Sequence, residues 1–299
     1  MVSTTYNIGT GTEILNNEVI DSIVKQTGMK TYKIKQVCSI VPTSAWNNTF
    51  YREDQTVFTG QTGNAVKGIP QGANFPQRAL SFQEVTVRVV KYGLEDNIPW
   101  EAILAGKIDI QARTAIRLTE GVVSAVDSSI WDSLTQNLGT DSGLVIQSYA
   151  ITLARFWDYA SAAIVDDVMA AKRMIAVNGH YDTGDLVCLI SPRDEQSVVS
   201  YLIGKGAQFP SIATDSVRNG SIGKIAGVDF IVSESVSSSY ALVCKPKTCA
   251  TYKELVSLRS TTVEDPYRSL KIRVVEEGTV EITDPKAIVL IKGTQSATA

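Results

Sequence analysis

The residue types that carry acid–base, nucleophilic or metal chemistry are few in this chain and poorly spaced for it. His180 is the single histidine, so any Ser-His-Asp or Cys-His device would have to use it. It stands in a polar turn, Asn178-Gly-His-Tyr-Asp182, where a solvated imidazole is the simpler reading. The four cysteines, Cys38, Cys188, Cys244 and Cys249, include no Cys-x-x-Cys, and beside one histidine they leave a structural zinc site short of ligands. Three of them lie in strand-like apolar stretches, where a buried, reduced thiol is expected. Asp166-Asp167 could offer carboxylates to magnesium, but adjacent helical positions point apart, which favours a solvated first turn. Ser221-Ile-Gly-Lys224 has the Ser-x-x-Lys pattern, and Tyr201-x-x-x-Lys205 and Tyr267-x-x-x-Lys271 have the tyrosine–lysine spacing of some dehydrogenases. Two fixed positions recur by chance, and none of these comes with its partner residues. Gly9-Thr-Gly11 follows no strand and lacks a third glycine, so it makes no dinucleotide fingerprint. Asn47-Asn-Thr49 and Asn219-Gly-Ser221 would matter as sequons only on a secreted chain. No catalytic, cofactor-binding or metal-ligating residue is assigned, no cofactor is expected, and the chain is not expected to be an enzyme.

Composition agrees. The 299 residues are 44% apolar and 20% charged, the balance of a folded protein with a large core. A net charge of −3 argues against a dedicated nucleic-acid binder, whose phosphate affinity needs concentrated Lys and Arg. Lys25, Lys30, Lys33 and Lys35 form a local basic strip, read as a solvated face beside Glu13, Glu18 and Asp21. No apolar run reaches the ~20 residues of a membrane span. The first residues show no basic segment followed by an apolar stretch, so synthesis in a reducing cytosol is expected.

The elements that would position any function follow from periodicity. Thr12 can cap a helix over 12–27 with Leu15, Val19, Ile20, Ile23 and Val24 on one stripe and Gly28 at its end; it reads as an arm. Residues 33–52 and 82–92 read as strands, the second with Val85, Val87 and Val89 on one face. Between them, Asp54–Ser81 holds repeated glycines and prolines. So long a stretch without regular structure suggests an extended hairpin. Its apolar residues Val57, Phe58, Ile69 and Phe75 would be poorly buried alone and are candidates for contact with a neighbouring subunit.

Residues 108–137 give the clearest helix, about 45 Å long. Ile108, Ala112, Ala115, Ile116, Val122, Val123, Val126, Ile130 and Leu134 line one face, with Arg113, Arg117, Glu120, Ser124 and Asp127 opposite. A small α/β unit over about 160–245 follows: helix 162–177, strand 186–190, a helix opened by the capping box Ser191-Pro-Arg-Asp194, and strands 225–233 and 240–245. Strand residues Ser269–Val274 alternate, Glu277-Gly278 is expected to turn the chain, and 288–291 reads as a buried strand.

This order of elements resembles the major capsid protein of tailed bacteriophages, with its α+β, Hong Kong 97-like capsid fold that encapsulin shells share. Tyr92-Gly-Leu-Glu-Asp-Asn-Ile-Pro99 is similar to the passage from hairpin to spine helix, and Ser221–Ser233 resembles the Gly-x-Ile-x-Gly-x-x-Val strand pair. The resemblance implies an N-terminal arm (1–40), an extended hairpin loop (41–95), a peripheral domain (96–160 and 246–299) with spine helix 108–137, and an inserted axial domain (161–245). It implies self-assembly through hexamers and pentamers into an icosahedral viral head in the virion, enclosing double-stranded DNA held by non-specific electrostatics. Any scaffolding, portal and decoration proteins are expected to be separate chains. Some relatives carry a lysine–asparagine cross-link on the hairpin; Lys67 is suitably placed as a contact residue, but no such bond is expected. Gly121 is a hinge candidate in the spine helix, against the simpler reading that it permits close packing. An encapsulin-type compartment is the nearest alternative, and a cytosolic α/β enzyme using Ser221–Lys224 or His180 the alternative of another class.

Overall fold

The computed structural model describes residues 15–53, 71–72, 74, 82–105, 109–139, 146–153, 155–179, 181–205, 222–265 and 268–296. Two larger sheets organise them. In the first, strands β1 (Ser39–Pro42), β10 (Thr251–Asp265), β11 (Ser269–Glu281) and β4 (Val90–Pro99) lie in the order β1-β10-β11-β4. The pair β10–β11 is antiparallel from Thr251↔Glu281 to Asp265↔Ser269, and β1 runs parallel to β10. Helices α1 (Asn17–Thr31) and α3 (Ile110–Gly139) share one apolar core with this sheet, and the short α2 (Trp100–Ala105) joins β4 to α3.

The second sheet has the order β5-β12-β9-β6-β8-β7, from β5 (Gln147–Ala150), β12 (Ile288–Lys292), β9 (Tyr240–Cys244), β6 (Leu186–Ile190), β8 (Val228–Val232) and β7 (Lys224–Ile225). Its central strands are apolar throughout because both faces are covered. Leu189, Leu242, Ile288 and Leu290 enter the first core. Cys188, Ile190, Val243, Val289 and Ile291 enter a second core with α4 (Ile164–Gly179) and α5 (Pro192–Gly204). The α/β unit expected over 160–245 therefore is not closed in sequence: β5 and β12, from outside that range, complete its sheet.

Several sequence expectations hold at the level of atoms. Ser191 caps α5, its Oγ accepting from the Asp194 amide at 3.1 Å and donating to the Asp194 carboxylate at 2.8 Å. The β7–β8 turn at Ala226-Gly227 has φ of 52° and 81°, the pair of left-handed residues that a tight two-residue hairpin requires. Val85, Val87 and Val89 are the less exposed positions of their stretch, as alternation predicts.

Others need correction. The first helix begins after Asn16, not Thr12, and continues through Gly28 to Thr31. Gly28 does not stop it: a Cβ there would lie 2.3 Å from Leu258 Cδ2, so the glycine lets α1 approach β10. With Ile20 and Val24 fully buried and Asp21 accepting from the Ser260 amide at 2.9 Å, α1 is part of the core and not a free arm. The stretch 82–92 divides at Val89 into β3 (Phe82–Arg88) and β4, in different sheets. Regular α3 ends before Gln136, Asn137 and Leu138, which are left-handed. Gly278 does not turn the chain but lies inside β11, where a Cβ would meet the Tyr252 hydroxyl at 2.3 Å.

The basic strip is likewise no single solvated face. Lys25 pairs with Asp21 at 2.6 Å, and Lys33 Nζ donates to the Val232 carbonyl at 2.8 Å. Lys35 is buried: its ammonium lies 2.7 Å from Glu276 and 2.9 Å from Glu254, and 4.6 Å from the ring centroids of both Tyr32 and Tyr252. Both tyrosine hydroxyls donate to Glu276. Burial, then the neighbouring Glu276 carboxylate, pushes both hydroxyls well above the ordinary tyrosine range. Asp127, expected on the outer face of α3, instead points inward and accepts the backbone N–H groups of Lys33, Ile34 and Lys35 at 2.9, 3.3 and 3.0 Å. Burial raises its pKa, and those three N–H groups oppose the rise.

Removing one member of a buried pair strands the other. Lys35→Met should therefore lower stability in urea unfolding by about 3–5 kcal/mol, whereas Glu254→Gln, at the more exposed carboxylate, should cost less than about 1 kcal/mol. Equal losses would contradict the assignment of Glu276 as the dependent charge. Gly278→Ala should displace Tyr252 and cost about 1–3 kcal/mol by overpacking.

Candidate assembly surfaces

The chemically capable side chains hold the fold together. All four cysteines are buried free thiols. Asp166 and Asp167 do point apart. Asp166 is exposed near Arg155 at 3.5 Å, while Asp167 is buried and accepts from Trp157 Nε1 at 3.1 Å and the Tyr149 hydroxyl at 3.2 Å. Burial raises the Asp167 pKa, with those two donors opposing it. Lys224 pairs with Asp229 at 2.8 Å across the β7–β8 hairpin. Lys205 lies 5.9 Å from the centroid of the Tyr201 ring, a loose cation–π contact and not a proton-transfer pair. His180, Ser221 and Tyr267 lie outside the described residues. Among the described residues no group of three or more His, Cys, Asp and Glu is placed to hold a metal ion.

The surfaces suited to contact lie elsewhere. Strands β2 (Asn47–Glu53) and β3 pair antiparallel, from Asn47↔Arg88 to Glu53↔Phe82, and join neither larger sheet. Thr49 and Thr86 meet across the pair at 3.2 Å, and the Arg52 guanidinium donates twice to Gln83 Oε1, at 2.9 and 2.7 Å. One face of this hairpin root, with Phe50, Val85 and Val87, turns toward Ser129, Asp132 and Val280 across a groove of about 380 Å³. The expected contact residues Val57, Phe58, Lys67, Ile69 and Phe75 belong to the segment between the two strands and lie outside the described residues.

Sequence reading missed a second set of exposed apolar side chains: Ile40 on β1, Trp46 before β2, Tyr51 on β2, Phe82 on β3, and Val90 and Leu94 on β4. Tyr51 and Phe82 are the most open of these, at 65% and 57% exposure, and apolar side chains left open on neighbouring strands are suited to contact with a partner. The signal was present as apolar residues on the polar side of each alternation. Gly121 sits in the regular part of α3, and a Cβ there would lie 2.6 Å from Leu94 Cδ1. It therefore makes room for the β4 side chain that crosses the helix.

Residues 83–291 match the phage capsid protein family, and no match is found among curated proteins. Solved structures of similar fold include the capsid of a native GTA particle, with 13% identity, 95% of this chain and 92% of that chain covered, and a TM-score of 0.65. A virus-like particle from Pyrococcus furiosus aligns at 12% identity over 92% of this chain and 98% of its own, with a TM-score of 0.63. Mycobacterium phage Che8 aligns at 15% identity over 84% and 86%, with a TM-score of 0.61. At such identities the likeness is one of fold, and it agrees with the α+β, Hong Kong 97-like capsid fold that the order of elements implies. The family match spans most of the hairpin's second strand, the long helix and all of the two larger sheets but β1 and the last residue of β12, and on it the chain belongs to the phage capsid protein family.

Proposed function

We propose that this chain is the major subunit of an icosahedral viral head, assembling through hexamers and pentamers around double-stranded DNA. The observation that carries the reading is the family match over 83–291, together with a separate hairpin root that bears exposed Tyr51 and Phe82. The part played by the chain is structural: the buried Lys35, Glu276, Asp127 and Asp167 serve internal contacts, and the exposed apolar residues are suited to lattice contacts. The hairpin within 41–95 would reach neighbouring subunits while α1, within 1–40, stays packed in its own subunit; 96–160 and 246–299 would form the peripheral part with its spine helix, and 161–245 would lie toward the capsomer axis. The DNA inside would be held without sequence preference, and scaffolding, portal and decoration proteins would be separate partners. The subunit would be made in the host cytoplasm and end in the virion.

Purified protein viewed by negative-stain electron microscopy, with its size-exclusion profile, tests this directly. Closed shells or isolated hexamers and pentamers are expected; a protein that stays monomeric even beside a scaffold would refute it. Shells that enclose a co-expressed enzyme in place of nucleic acid would point to the cargo-compartment alternative.

Two variants test the parts. Deleting 56–78, which removes Val57, Phe58, Lys67, Ile69 and most of the hairpin, should leave a folded subunit by circular dichroism that no longer assembles. Normal shells from that deletion would remove the hairpin from the account. Gly121→Ala should stiffen α3 by ~1 kcal/mol and displace Leu94. Slower head expansion in time-resolved light scattering would support the hinge. Unchanged kinetics would leave Gly121 a packing residue only.

A further inference from the structure

The long helix ends in a conformation that its sequence does not ask for. Gln136, Asn137 and Leu138 have φ of 48°, 51° and 59°, with ψ of 56°, 45° and 28°. An L side chain in this left-handed region crowds the following carbonyl, and such residues occur singly and not in runs. None of the three is glycine, and Gln and Leu rank among the better right-handed helix formers. Gly139 follows, the residue type that ordinarily ends a right-handed helix. A right-handed continuation would also place Leu138 on the stripe of Ile130 and Leu134, both fully buried at four-residue steps before it. Local preference and observed backbone therefore disagree over three consecutive residues.

Such strain persists only where its surroundings hold it. Leu138 packs half-buried against the first core. Ahead of it, the Thr135 hydroxyl donates to the carbonyl oxygens of Trp131 and Asp132, at 2.9 and 3.4 Å, and so closes the last right-handed turn with a side chain. Gln136 and Asn137 stand in the wall of the groove that separates α3 from Phe50, Val85 and Val87 of the hairpin root. Strands β2 and β3 join neither larger sheet, so this wall is part of what seats them.

We propose that Gln136–Leu138 is a strained joint between two states of the molecule, and that its conversion to a right-handed last turn of α3 moves the hairpin root. Conversion would lengthen the regular helix by about 4.5 Å, at the α-helical rise per residue, and carry Gln136 and Asn137 off the groove wall. Phe50, Val85 and Val87 then lose the surface they face, and β2 and β3 shift with them. The coupling runs both ways. A contact that draws the hairpin root away from the groove removes part of what holds the joint left-handed. No bond forms or breaks, and no charge changes.

Glycine supplies the test, because it adopts the left-handed conformation freely yet weakens a right-handed helix. Gln136→Gly should raise the melting temperature of the full chain by about 2 °C and slow amide hydrogen exchange over 47–53 and 82–88. Asn137→Gly should act the same way but less, since asparagine already tolerates the conformation. Asn137→Ala strains the left-handed state and favours the right-handed one. It should quicken exchange over both hairpin strands several-fold and leave β6 and β9 unchanged. A melting temperature unchanged or lowered in Gln136→Gly would show that the joint stores no strain and overturn the proposal. Altered exchange confined to 134–138 would overturn its link to the hairpin. None of these outcomes depends on whether the subunit forms shells.

Discussion

A single buried ammonium ties the start of the chain to its far end. Lys35 follows α1 in sequence, while Glu254 and Glu276 come from β10 and β11, more than two hundred residues later. In a low-dielectric interior neither charge is tolerable alone, so the pair forms only when all three segments are in place. Asp127 completes the arrangement from α3 by taking three consecutive backbone N–H groups of Lys33–Lys35. Helix, turn and sheet thereby converge on one polar node inside an otherwise apolar core. The positions of α1, of the long helix and of the four-stranded sheet that backs the hairpin depend on it.

Where local rules act, the sequence was readable. Alternation marked the inward face of 82–89, the Ser191–Asp194 pair marked the start of α5, and the wholly apolar run 186–190 marked the strand β6. Where a residue answers to a partner distant in sequence, reading failed. Lys35 looks like its three neighbouring lysines until Glu276 is placed beside it. Asp127 falls at a polar position in a helical pattern, and only the turn at 33–35 gives it a reason to face inward. Glycines were misread for the same cause: Gly28 and Gly278 resemble stop and turn signals, yet each makes room for one side chain, Leu258 and Tyr252. The bounds of β10 were not legible, because its burial alternates only in part and its pairing with β11 shifts register twice.

The functional surface was legible in kind more than in residue. A lone histidine, the lack of a Cys-x-x-Cys and the lack of a dinucleotide fingerprint weigh toward architecture over chemistry, and the order of elements carries the capsid resemblance. The exposed aromatic residues at the hairpin root were not singled out, because a single apolar residue on a polar face carries no weight until its neighbours in space are known.

The interleaving of the six-stranded sheet bears on how such a chain emerges from the ribosome. β12 lies between β5 and β9, so the edge strand β5 has no place in the sheet until residue 292 has been made. The first core waits as well, because β10 and β11 supply the carboxylates for Lys35. Strands β9, β6, β8 and β7 can pair with one another earlier, but the first core cannot close until then, and contacts this distant in sequence form slowly. The core that holds α1 and the long helix would thus close only after β10 and β11 have been made, so the surfaces it supports take shape late in synthesis.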